Sequence, residues 1–206
     1  FRNVTGVQTC ALPILIGGKH RGRAIDTPQG EATRPTSSRA REALFNIVAH
    51  ADWRDDGASP LVEARVLDAF AGSGALGLEA LSRGAAHATF MDNDAAAVRV
   101  IGENLRKLKE TAAAKVVRAD ATRPPPAQRS CDLVFLDPPY RSGLAGPTLA
   151  ALAGAGWIAQ GTIATVELAN TEDLPAVPGF ETVDERRYGA AKILIDRKST
   201  RLNSSH

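Results

Sequence analysis

Apolar residues along this chain gather in short blocks, and the blocks alternate between two kinds of spacing. Ala64–Ala69, His87–Met91, Lys115–Arg118, Asp132–Leu136 and Thr162–Leu168 are compact runs bounded by turn formers, which predicts strands. Between them, Ala75–Ser82, Ala95–Lys109 and Pro147–Ala153 read as helices. The second shows it most clearly, with Val98, Ile101, Leu105 and Leu108 on one stripe. A further helix is predicted from about Arg39 to Ala49, capped by Ser37 or Ser38, with Ala40, Leu44, Ile47 and Val48 facing inward. Ahead of it lie a clipped strand at Leu15-Ile16, a glycine-broken basic loop over 17–23 and a turn at Pro28-Gln29-Gly30. Asp52–Pro60 reads as a polar linker, and Pro124–Pro126 end regular structure. Phe180–Tyr188 and Ala191–Ile195 are expected to pair as a hairpin turning near Gly189. The alternation predicts an α/β protein with a doubly wound, mostly parallel sheet, helices on both faces and an antiparallel C-terminal edge.

The two ends follow a different logic. Val4–Ile14 can be written in codons whose reverse complement translates to Asp196–His206. Two termini that are antisense translations of one DNA string point to a sequencing adapter read at both ends. Residues 1–14 and 196–206 are therefore expected to be adapter-derived. A basic extension is expected over 15–60 and a ligand-binding domain over 61–195.

Charge changes meaning once the ends are set aside. The net charge is +2. Arg2 supplies one positive charge and Asp196–His206 a net two, leaving Leu15–Ile195 near −1. Within that segment Lys19, Arg21, Arg23, Arg34, Arg39 and Arg41 outnumber the acids of Leu15–His50, so a basic arm precedes a mildly acidic body. That arrangement fits an arm that contacts RNA phosphates, and equally an ordinary solvated surface. Cys131 is the one cysteine outside the suspect ends, so neither a disulfide framework nor a cysteine metal site is expected, and a cytoplasmic setting is the default. No apolar run of the 15–195 segment is long enough to span a bilayer.

Candidate chemistry sits just beyond the predicted strands. Asp68 precedes the turn Gly72-Ser73-Gly74, Asp92 follows the second strand, and Asp120 follows the third. Each alone is more often a surface turn or a cap. Together they occupy successive strand C-termini, where doubly wound folds bind ligands. No phosphate-binding lysine follows the glycine turn, so the acid suits a cationic ligand, such as the ammonium and sulfonium of S-adenosylmethionine (SAM). Asp92 is placed to accept from ribose hydroxyls and Asp120 from an adenine amine, while Asp94 reads as the cap of the next helix. After the apolar run Leu133–Leu136 comes Asp137-Pro138-Pro139-Tyr140. The Asp137 carboxylate and Pro138 carbonyl accept hydrogen bonds, the prolines donate none, and Tyr140 offers an aromatic face. The set suits a planar group bearing an NH2, and so methyl transfer to the exocyclic amine of a nucleobase.

With those motifs in view, the chain resembles the RsmD-type family of bacterial 16S rRNA (guanine-N2)-methyltransferases. The resemblance rests on Ile16-Gly17-Gly18 with Arg21-Gly22-Arg23, on Arg34-Pro35-Thr36 with Arg41–Asn46, on Asp68–Ala85 and on Asp137–Tyr140. It implies a Rossmann-like class I SAM-dependent methyltransferase acting on one guanine of the small ribosomal subunit or an assembly intermediate. It further implies that Asp68, Gly72 and Gly74 line the methionine end of SAM, with Phe70 in the same turn, Asp92 at the ribose and Asp120 at the adenine. Asp137, Pro138 and Tyr140 would hold the guanine, and Lys19, Arg21, Arg23, Arg34, Arg39 and Arg41 would meet RNA. Asp92 departs from the glutamate often found in the family. No metal is expected, and the protein is expected to be a monomer. Two other classes stay open: a DNA amino methyltransferase using the same turn, and a nucleotide-binding module without chemistry.

Overall fold

The computed structural model describes residues 12–28, 38–50 and 59–199. Its strands are β1 (Arg65–Ala69), β2 (His87–Asp92), β3 (Ala114–Arg118), β4 (Cys131–Leu136), β5 (Ile158–Ala169), β6 (Phe180–Tyr188) and β7 (Ala191–Lys198). They form one sheet in the order β3-β2-β1-β4-β5-β7-β6. The first five strands in that order run parallel, and β7 lies antiparallel to both β5 and β6. Helices α1 (Ser38–His50), α2 (Ala75–Ser82), α3 (Ala95–Leu108) and α4 (Ala145–Gly154), with short 3-10 turns at Gly18–His20 and Thr111–Ala113, complete the described elements. The doubly wound sheet with an antiparallel edge is the architecture that the alternation predicts.

Strand geometry sends consecutive side chains to opposite faces, and this builds two cores. On one face Val66, Phe90, Leu133 and Phe135 pack with Leu44 and Phe45 of α1, Leu78 and Leu81 of α2, and Ile101 and Leu105 of α3. The rings of Phe45 and Phe135 lie 5.4 Å apart, centroid to centroid. On the other face Leu67, Met91, Val134 and Leu136 pack with Leu149 and Leu152 of α4. Helix α3 is bounded as its sequence suggests: Asp94 Oδ1 accepts from the Ala96 N–H at 2.9 Å, and Lys109 closes the helix in the left-handed region.

Two strands run further than their apolar pattern. β5 begins at Ile158, ahead of the predicted Thr162, because Ile158 pairs with Cys131, while exposed Ala159-Gln160-Gly161 fall in the irregularity before Ile163 pairs with Leu133. β7 continues past Ile195 to Lys198. There Asp196 is buried and accepts from Thr182 Oγ1 at 2.7 Å, Arg197 meets Glu181 at 2.6 Å, and the Lys198 ammonium lies 4.7 Å from the Phe180 ring centroid. Ladder hydrogen bonds are made by backbone, so residues of any origin can lengthen an existing edge.

The N-terminal arm is bound into the same core. Ile14 bridges Ala24 around a 3-10 turn over Gly18–His20, and Leu15 and Ile25 are fully buried. Glu79 of α2 is the anchor: its two oxygens accept from the N–H groups of Ile16 and Gly17, each at 2.8 Å, and Arg83 Nε donates to it at 2.7 Å. A fully buried carboxylate is stable only when so paired.

Candidate active site

β1 ends in a turn that few sequences could make. Phe70, Gly72 and Gly74 all have positive φ, at 63°, 53° and 80°. For phenylalanine this region is strained, and such strain concentrates at ligand sites. The space above Gly72 is open among the described residues, with no atom within 4 Å of where a Cβ would stand. Gly74 caps α2 with no side-chain bond, and Asp68 supplies the missing acceptor from the strand: its Oδ2 receives the Gly77 N–H at 2.8 Å. A Cβ on Gly77 would stand 2.3 Å from a ring carbon of Phe90, so glycine is required for α2 to pack on β2. Gly77 is thus a functional glycine beyond the expected Gly72 and Gly74. The signal for Gly77 was its spacing, which completes Gly-x-Gly-x-x-Gly.

The acids predicted at the strand ends have distinct surroundings. Asp68 is buried, and burial pushes its carboxyl well above the ordinary range. The Gly77 hydrogen bond opposes this, and the charges of Asp137 and Asp92 add to it. The charges of Asp92, at the end of β2, and Asp137, just past β4, therefore act on Asp68 at one end of the sheet. Asp92 holds the turn itself, with Oδ2 accepting from the Gly72 N–H at 2.8 Å and Oδ1 from the Asp94 N–H at 2.9 Å. Each oxygen retains a lone pair for a ribose hydroxyl. Asp120 is bent back on its own loop. Its Oδ1 accepts from Thr122 Oγ1 at 2.7 Å and from the Thr122 N–H at 2.9 Å, and these bonds hold its carboxyl below the usual range.

Register brings the second turn beside the first. Ala69 pairs with Leu136, so the glycine turn and Asp137–Tyr140 leave neighbouring strands at the same level. Asp137 is half-buried, Pro138 buried and Pro139 exposed. The Tyr140 hydroxyl donates to Glu167 Oε1 at 2.7 Å, which fixes the ring over the edge of β5. Glu167 is buried near the end of β5, and desolvation raises its carboxyl against the opposing Tyr140 bond. Nothing in the apolar run Thr162–Leu168 marks Glu167 except that a strand interior carries an acid.

The arm reaches this edge through Asn104, which is fully buried on α3. Its Oδ1 accepts from the Asp26 N–H at 2.8 Å, and its amide donates to Asp26 O at 3.0 Å and to Ser73 O at 3.1 Å. Of the cations assigned to RNA, Lys19, Arg21 and Arg23 are exposed, and Lys19 also pairs with Glu110 at 2.7 Å. Arg41 is different: it is 3% exposed and donates through Nη2 to the Ile14 carbonyl, so it fastens the arm and presents no charge to a polyanion. Its amphipathic stem and helical spacing drew it into the core, where burial and Arg83 lower its pKa. Arg34 lies outside the described residues, as does the side chain of Arg39.

An acidic edge over an open glycine turn fits the ammonium and sulfonium of SAM, and the acceptor turn beside it fits an amine. Among the described residues no group of three or more His, Cys, Asp or Glu is placed to hold a metal ion, and no helix is long and apolar enough to cross a membrane. Comparison with known proteins agrees with this reading. Residues 14–196 match the family model described as "Conserved hypothetical protein 95". The chain is 42% identical to "Ribosomal RNA small subunit methyltransferase D" of Escherichia coli (strain K12) over 80% of its own length and 78% of that protein's. It is 33% identical to the protein of the same name in Haemophilus influenzae, over 85% and 88%. The solved structure of "Putative methyltransferase yhhF" from Escherichia coli superposes with a TM-score of 0.76 at 37% identity, covering 92% of this chain and 99% of that one. The expected class I SAM-dependent methyltransferase fold is thus the observed one, and the chain belongs to the RsmD-type family that this model describes.

Proposed function

We propose that the protein transfers the methyl group of SAM to the exocyclic N2 amine of a guanine in 16S rRNA of the small ribosomal subunit or an assembly intermediate. The observation that carries the reading is the parallel register of β1 and β4, in which Ala69 pairs with Leu136 and the turns that follow leave the sheet side by side. It sets the acceptor turn against the cofactor turn. The relatives named as small-subunit rRNA methyltransferases support the choice of RNA and subunit.

Bound SAM supplies a methyl group on an electrophilic sulfonium. The chain's own residues do the rest. Asp68 and Asp92 hold the α2 and glycine-turn N–H groups in place and give the edge the negative potential that a cationic donor needs. Asp137 and the Pro138 carbonyl accept the N–H bonds of the guanine amine and orient its nitrogen toward the donor. As positive charge develops on that nitrogen, both acceptors stabilise it more than in the ground state. Tyr140, held by Glu167, stacks on the base. Positioning therefore outweighs base strength in this site. Lys19, Arg21, Arg23, Arg34 and Arg39 supply the phosphate contacts of a monomeric, metal-independent cytoplasmic enzyme.

The test is transfer of labelled methyl to small subunits that lack the modification, followed by nucleoside analysis. N2-methylguanosine in 16S rRNA is the expected product. Label in DNA instead, or SAM binding without transfer to any nucleic acid, would replace this reading with one of the two alternatives.

A further inference from the structure

The opposite edge of the sheet carries a cavity with no part in the chemistry above. It measures about 130 Å³ and is lined by Arg65, His87, Thr89, Lys115, Gln128 and Arg129, with Trp157 as one wall. Register explains the cluster. Arg65 pairs with His87 and Thr89 with Lys115, and His87 and Thr89 are two residues apart on β2. All four therefore project from one face at the N-terminal ends of β1, β2 and β3. That face is covered by α4, which packs beneath β4 and β5. The connection from β3 to β4 passes through Pro124–Pro126 and forms no helix, so over these cations the face carries a loop, with Gln128 and Arg129, in place of a helix.

No carboxylate lines the cavity. Asp132 of β4, outside that lining, accepts the backbone N–H of Arg65 at 2.8 Å. The Arg65 Nε is buried with no hydrogen-bond partner, which is costly for a guanidinium donor. Burial, and then the charges of Arg65 and Lys115, lower the pKa of His87. Cations gathered in a cavity with no carboxylate in its lining, beside an orphaned donor, describe half of an ion site.

We propose that this cavity binds a phosphate group. Arg65 offers a planar fork, Lys115 and Arg129 point charges, and His87, Thr89 and Gln128 neutral donors. A phosphodiester of the RNA backbone and a free phosphate or nucleotide share this chemistry. With strands of about 3.3 Å per residue, the cavity lies roughly 15–20 Å from the glycine turn, so it does not compete with the donor site.

The test follows the His87 imidazole by NMR in the full chain, with inorganic phosphate titrated against chloride at constant ionic strength. Phosphate is expected to raise the His87 pKa by about one unit. The exposed pair Lys115→Gln/Arg129→Gln should abolish that rise and weaken calorimetric phosphate binding at least tenfold, with SAM affinity unchanged. An RNA oligonucleotide without terminal phosphate that produces the same rise identifies the backbone as the source. A rise with phosphate or mononucleotide but not with that oligonucleotide identifies a small ligand. An equal response to chloride and phosphate, or a response that survives in the double variant, overturns the site.

Discussion

At the C-terminal tips of β1, β2 and β4 stand Asp68, Asp92 and Asp137, with Glu167 near the end of β5; at the N-terminal tips of β1, β2 and β3 stand Arg65, His87 and Lys115. Between them the interiors of β1, β2 and β4 are buried and largely apolar. The two ends are built from the same strands yet gather side chains of opposite charge. Burial and like charge push Asp68 up at one edge and His87 down at the other. Both shifts have one physical meaning: each environment makes the charged form costlier than in water, a cost that a ligand of opposite sign would offset. The sign of the gathered charge therefore tells the class of ligand, a cation at the glycine turn and an anion at the far end.

The sharpest way to break this contrast is at Asp137. Asp137→Ala should lower the rate of methyl transfer about 100-fold or more while SAM affinity changes only slightly, because one acceptor for the developing charge is lost. Single-turnover rates and equilibrium SAM binding separate the two, and a parallel fall in affinity would move Asp137 into the cofactor site.

Asp68→Asn should act the other way, weakening SAM about tenfold through the lost charge. It also has a pH signature. A carboxyl whose folded pKa is raised opposes folding increasingly as pH climbs from the ordinary carboxylate range through the folded value. Asparagine removes that penalty and can still accept from Gly77. The Tm advantage of the variant should therefore be absent in acid and grow as pH rises; a constant offset would mean that the carboxyl is not desolvated.

Within the arm, Arg41 and Arg21 make a matched pair. Arg41→Ala leaves the Ile14 carbonyl without its donor and should cost about 1–3 kcal/mol of stability by denaturant unfolding, with the salt dependence of RNA binding unaltered. Arg21→Ala should leave stability alone and reduce the slope of log affinity against log salt by about one. Exchange of these outcomes would reverse their roles. The smallest effect is expected at Glu167→Gln, which keeps an acceptor for the Tyr140 hydroxyl and should slow transfer about 2–10-fold, whereas Glu167→Ala should slow it further.

Much of this site was legible along the chain. Asp68, Asp92 and Asp137 could be placed at strand ends because compact apolar blocks mark strands, and because acids directly after them have few other uses. Asp94 was readable as a cap for the same local reason. Glu167 and Asn104 were not, since a polar residue inside an apolar block becomes meaningful only when its partner is known, and their partners are 27 residues or more away. Arg41 was misread for a related reason: helical spacing gives the face a residue occupies but not whether another segment covers it.

Composition and local pattern determined the strands, the helices, the two turns and the kind of ligand each turn suits, because these depend on backbone preferences and short-range chemistry. Only the folded chain decided which tips stand side by side, that Glu79 and Asn104 tie the arm to the sheet, and that cations from three strands share one cavity. Those facts depend on register and on contacts between residues far apart in sequence, and no local pattern encodes them.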